Sequence, residues 1–163
     1  MKKIIVVLLL ILSIFLTACN NHSSIIAIPK NFTSVVDIKT KNNNYKFKYF
    51  FNNSGDFEFS SINQPVSIDI KCKNGIFELN TLNLKCDINK EYIENSPLNI
   101  INSVLIKSIN AEIMPDYNGN YIYYGVSEFG QYKLYLQKNG LPIKLELNDI
   151  TVLFTQTKYE RSA

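Results

Sequence analysis

The chain carries one histidine, three cysteines, ten tyrosines, ten phenylalanines and no tryptophan. His22 sits just behind Cys19 near the N-terminus, away from every segment with folding signals. That placement argues against a histidine-dependent triad, a histidine-bearing metal site or a histidine general base. Among the carboxylates, Asp37, Asp69, Glu78, Asp87, Glu146 and Asp149 mostly fall in the polar phase of alternating segments. A solvated sheet face explains them more simply than paired acid/base catalysis does. No glycine-rich phosphate loop and no nucleophile elbow is present. The inventory therefore points away from an enzyme and calls for no cofactor and no metal.

Cys72 and Cys86 raise a separate question. In a meander of strands over 66–73, 76–80 and 82–88, the middle strand separates them by two inter-strand spacings, roughly 9–10 Å. A disulfide needs Cα atoms within about 7 Å. The spacing favours two buried free thiols over a bridge, and a different strand order would reverse that preference. The aromatic residues form one dense set at Tyr45, Phe47, Tyr49, Phe51, Phe57 and Phe59. Another lies at Tyr117, Tyr121, Tyr123, Tyr124, Tyr132 and Tyr135. Packing against a core is the ordinary reading of both. The sharper reading is a tyrosine-rich sheet surface that receives a partner, with Tyr121, Tyr123 and Tyr124 as binding candidates, or an apolar concave face that takes an acyl chain.

Cys19 has the most specific context in the chain. Met1-Lys2-Lys3 is a basic start, and Ile4 through Phe15 is an apolar run of about a dozen residues, too short to span a bilayer comfortably. Leu16-Thr17-Ala18-Cys19 follows and resembles the bacterial lipobox, which directs lipid to the thiol and cleavage before it. Residues 1–18 therefore read as a lipoprotein signal peptide and residues 19–31 as a lipidated tether. The expected location is extracytoplasmic, anchored to the cell membrane through Cys19, since more than one acyl chain makes a stable anchor. Removing the leader leaves about 145 of the 163 residues, the size of one domain with a real core. Lys2 and Lys3 leave with it, so the formal charge of +3 says little about the mature chain. Nothing in that balance calls for a nucleic-acid partner.

The elements that must position these residues read as mainly β. Turn signals recur every eight to twelve residues. Val66, Ile68, Ile70 and Cys72 alternate with Ser67, Asp69, Lys71 and Lys73, and Leu82, Leu84, Cys86 and Ile88 alternate with Asn83, Lys85, Asp87 and Asn89. Further strands are expected over 33–40, 45–51, 56–61, 76–80, 121–126, 132–137, 143–148 and 151–159. Asn74-Gly75 is a hairpin signal. One segment changes period. Asn95-Ser96-Pro97 offers a cap and a proline at the first helical position. From there a helix near 97–109 sets Leu98, Ile101, Val104, Leu105 and Ile109 against a polar face of Asn99, Asn102, Ser103, Lys107 and Asn110. The expectation is a single domain over 32–163, a curved antiparallel sheet with one covering helix.

A lipobox, a meander of strands, a helix entered through NSPLNIINSVL and closing strands around KNGLPIKLEL together resemble the curved half-barrel of the lipoprotein carriers LolA and LolB. Their Gram-positive relatives include the germination lipoprotein GerS. The carriers usually have a helix before their first strand, for which this chain leaves little room. The resemblance implies a membrane-anchored, non-enzymatic binding module at the cell envelope. In the GerS branch the implied partner is a cell-wall amidase that modifies spore cortex peptidoglycan. The alternative is a carrier or sensor of a lipid or acyl ligand held in the concave face.

Overall fold

In a computed structural model, the described residues are 26–160, apart from 64–65, 83, 112, 114 and 117–118. The expected signal peptide, Cys19 and His22 lie outside them. Among the described residues ten strands form one open antiparallel sheet. They are β1 (Asn31–Lys39), β2 (Asn44–Asn52), β3 (Phe57–Ser61), β4 (Ile68–Lys73), β5 (Ile76–Thr81), β6 (Leu84–Ile88), β7 (Tyr121–Ser127), β8 (Gly130–Leu136), β9 (Pro142–Leu147) and β10 (Ile150–Tyr159). Their order is β6-β5-β4-β3-β2-β1-β10-β9-β8-β7, so two meanders join where the first strand meets the last. Every strand expected from alternation is present. Hairpin chemistry sets the register where expected: Asn74 and Gly75 both take positive φ, 52° and 78°, as a tight two-residue turn requires.

Two helices cross between the meanders, α1 (Lys90–Glu94) and α2 (Pro97–Ser108). The long one starts as read, with the Ser96 hydroxyl accepting from Asn99 N–H and Pro97 in the first turn. The short one was not expected. Its signals are weak: Asn89 caps it by accepting from Glu91 N–H, and Lys90 pairs with Glu94 one turn on.

The sheet wraps around α2. Strands β2 and β8 lie four spacings apart, about 19 Å across a flat sheet, and a helix is about 10 Å wide. Yet the Tyr49 hydroxyl of β2 donates to Asn102 of α2 at 3.2 Å, and Tyr132 of β8 meets Ser108 of α2 at 2.9 Å. Both ends of the trough thus reach one helix, consistent with a curved sheet. On the side of the first meander the concavity is packed with aromatic rings. Phe32 and Phe51 lie 5.0 Å apart, Tyr49 stacks on Phe59 at 4.4 Å, and Phe57 meets Phe77 edge-on. Leu134, Leu136, Leu145 and Val152 complete the core from the second meander.

The helix is buried further round than its pattern suggests. Asn102, expected on the polar face, is buried, and so is Ser108. Asn99, Ser103 and Lys107, spaced by four, form its wetter stripe. A helix lying in a trough is contacted on three sides, so polar residues at its flanks are enclosed and must find partners.

Candidate functional site

The three tyrosines singled out from the sequence do not form one surface. Neighbouring residues of a strand point to opposite faces. Tyr121 is only 5 % exposed and closes the core at the sheet edge, where its backbone also bridges Pro115. Tyr123 is half-buried, its ring edge-on to Tyr132 at 5.9 Å. Tyr124 alone faces outward, 65 % exposed, with the Lys133 ammonium 5.7 Å from its ring centre.

Tyr124 therefore belongs to a different site, the outer face of β7 to β9. Val126, two residues on, is 73 % exposed beside it. Across the strands, Tyr124 opposes Lys133, and Lys133 opposes Glu146. The Tyr135 hydroxyl donates to Glu146 at 3.0 Å, and Lys144 pairs with Glu146 while lying over the Tyr135 ring. The Lys144 and Tyr135 hydrogen bonds hold the Glu146 carboxyl below its ordinary value, while the same carboxylate raises the Tyr135 phenol. A shallow groove of about 520 Å³ runs over Tyr124, Gly125, Lys133, Glu146 and Asn148. The arrangement offers a ring face, an apolar side chain and paired charges, which suits contact and not bond making.

The concave face offers little free space. Its apolar recess at the start of α2 holds about 170 Å³ between Ile38, Tyr45, Phe47, Pro97 and Leu98. That is below the roughly 300–1,000 Å³ of sites that enclose a drug-sized ligand. Helix α2 and the aromatic rows occupy the middle of that face.

The remaining chemistry is dispersed. Asp37, Asp69, Glu78, Asp87, Glu146 and Asp149 sit on the outer face or in turns, none of them buried, and Glu78 pairs with Lys85 at 2.8 Å. Among the described residues no three or more histidine, cysteine or acidic side chains gather as a metal site would need. Cys72 and Cys86 are both free, on strands either side of β5, as their spacing suggested. The expected burial of both thiols is wrong for one. Cys72 is buried, which pushes its thiol up, whereas Cys86 is exposed.

The reason lies in what α2 leaves uncovered, and the sequence pattern missed it. The inner face continues through Ile68 and Ile70 of β4, Leu79 of β5, and Leu84, Cys86 and Ile88 of β6. The alternation read as a half-buried strand is present in β6, but its apolar side meets water: Leu84 is 68 % exposed and Leu82 in the preceding turn 70 %. The cover still reaches Ile70 and Ile88, which pack against the core, and stops short of Leu84 and Cys86, which are exposed.

Set beside known proteins, the chain matches no family model and no curated protein. The reading of its function therefore rests on the residues and their placement.

Proposed function

We propose that this chain is a membrane-tethered, non-enzymatic binding module of the cell envelope, holding a protein partner on its exposed strands, with a LolA/LolB-like half-barrel as scaffold. One observation carries the choice of a protein over a lipid. Where α2 and the aromatic rows lie, the concavity keeps an apolar recess of only about 170 Å³, and the rest of that face, around Leu84 and Cys86, is open to solvent and encloses nothing, while apolar side chains such as Tyr124 and Val126 stand exposed on the outer face of an edge strand. The tether rests on Leu16-Thr17-Ala18-Cys19. A cell-wall amidase of the spore cortex as the partner rests on likeness to the GerS branch alone. A carrier of an acyl ligand is the second reading, and it requires α2 to lift out of the trough.

The test is affinity purification of the full chain from its native membrane, with mass spectrometry of co-purifying proteins and extracted lipids. Expected are palmitate-type labelling that disappears in Cys19→Ala, and a stoichiometric peptidoglycan amidase whose retention drops in Tyr124→Ala and Val126→Glu. Stoichiometric acyl lipid inside the domain, with no protein partner, would overturn the reading.

A further inference from the structure

Strand β6 ends the sheet with its outer backbone edge unpaired among the described residues, and such edges invite another strand. Its sequence, Leu84-Lys85-Cys86-Asp87-Ile88, is close to self-complementary about its central residue. From this register we infer that β6 pairs antiparallel with β6 of a second copy of this chain, centred on Cys86.

The argument is one of faces and charges. Two identical strands that pair antiparallel about a two-fold axis through the sheet keep their inner faces on one side, and the axis must pass through a residue. Centred on Cys86, all five residues pair. Leu84 then lies opposite Ile88 of the second copy on the inner face, and Lys85 lies opposite Asp87 on the outer face, twice by symmetry. Centred on Lys85 or Asp87, like charges would lie directly opposite, which is unfavourable. Charges on an edge normally deter pairing. Here, among the registers that pair three or more of the five residues, they admit one.

The charge pattern within the sheet points the same way. Across the outer face Glu58 opposes Lys71 and Lys71 opposes Glu78, each neighbour of opposite sign. At the edge the alternation fails, because Glu78 opposes Asp87. Lys85 of the same strand reaches Glu78 diagonally at 2.8 Å, and Lys85 of a second copy would set a cation directly opposite Asp87. The same pairing sets the exposed Leu84 of each copy beside Ile88 of the other, which packs against the core of its own chain. A five-residue edge is short, so the association is weak and depends on concentration.

The experiment uses the full chain in native membranes and in detergent solution, read by thiol cross-linking and by sedimentation. Residues opposed at the centre of an antiparallel pair have Cα atoms about 4.5–5.5 Å apart, within disulfide reach. Diamide, which takes up the two electrons and two protons of the thiols, should therefore join two chains through Cys86 and fail in Cys86→Ser. Lys85→Asp and Asp87→Lys should each cut the dimer by about tenfold or more, because each sets like charges opposite. The double change, Lys85→Asp with Asp87→Lys, should restore it. Both positions are exposed, and far-UV dichroism checks that each variant stays folded. A chain that sediments as a monomer without the Cys86 cross-link overturns the inference. So do single variants that dimerise as well as the parent, or a double variant that does not recover.

Discussion

At Gly125 the absence of a side chain lets Tyr132 reach the helix. A Cβ there would lie 2.3 Å from the Tyr132 ring, which crosses over Gly125 to meet the buried Ser108 hydroxyl. Gly125→Ala should displace that ring and cost about 1–3 kcal/mol, read as a lower urea midpoint with unchanged slope. Tyr49 makes the matching contact from the other side of the trough. Tyr49→Phe leaves the buried Asn102 carbonyl without its donor, at a cost of about 1–3 kcal/mol. Burial also holds the Tyr49 phenol well above its ordinary value and raises the Cys72 thiol. Above the ordinary values the unfolded chain releases protons that the folded chain keeps, so stability must fall as pH rises. It is complete below the ordinary thiol and phenol values, about 8.5 and 10, and is lost as pH climbs through the raised ones. Urea midpoints at about pH 8 and about pH 10.5 should show that decline, and Tyr49→Phe should flatten it. A midpoint indifferent to pH over this range would contradict the buried phenol.

At the scale of elements, the same alternation has different energetic consequences according to what lies over it. Leu105 of α2 and Leu84 of β6 are both apolar residues on the apolar side of their elements, yet one is fully buried and the other mostly wet. Leu105→Ala should cost about 2–5 kcal/mol, whereas Leu84→Ala should stay within about 0.5 kcal/mol. Equal losses in thermal melts would mean that the β6 strip is covered. The helix depends on its start as well. Ser96→Ala removes the hydroxyl that receives Asn99 N–H and should cost about 1 kcal/mol.

Across the whole molecule, the two meanders of the open sheet are joined by its first and last strands in sequence. Val36 of β1 pairs with Phe154 of β10, so the two meanders meet in the sheet through strands of long sequence separation. Such contacts form slowly, because the loop entropy comes before the reward, and folding in milliseconds to seconds is expected. The central strands β2, β1 and β10 should then be the slowest to exchange amide hydrogens, and the edges β6 and β7 the fastest. Hydrogen exchange read by mass spectrometry checks this. Uniform protection from edge to centre would contradict it.

The sequence by itself determined the local structure. Alternation in segments such as Leu84-Lys85-Cys86-Asp87 placed the strands, Asn74-Gly75 a tight turn, and Ser96-Pro97 the start of the long helix, because these signals act between neighbours in the chain. Even the separation of Cys72 from Cys86 was legible, since it follows from counting strands. The split of Tyr123 from Tyr124 was legible too, in the period of two, although their clustering suggested one surface. Only the tertiary structure decided what covers each face. That α2 encloses Asn102, and that its cover stops short of Leu84 and Cys86, follows from the sheet's curvature and the helix's path across it. Those depend on contacts between residues far apart in sequence, such as Tyr49 with Asn102 and Val36 with Phe154, which no local pattern encodes.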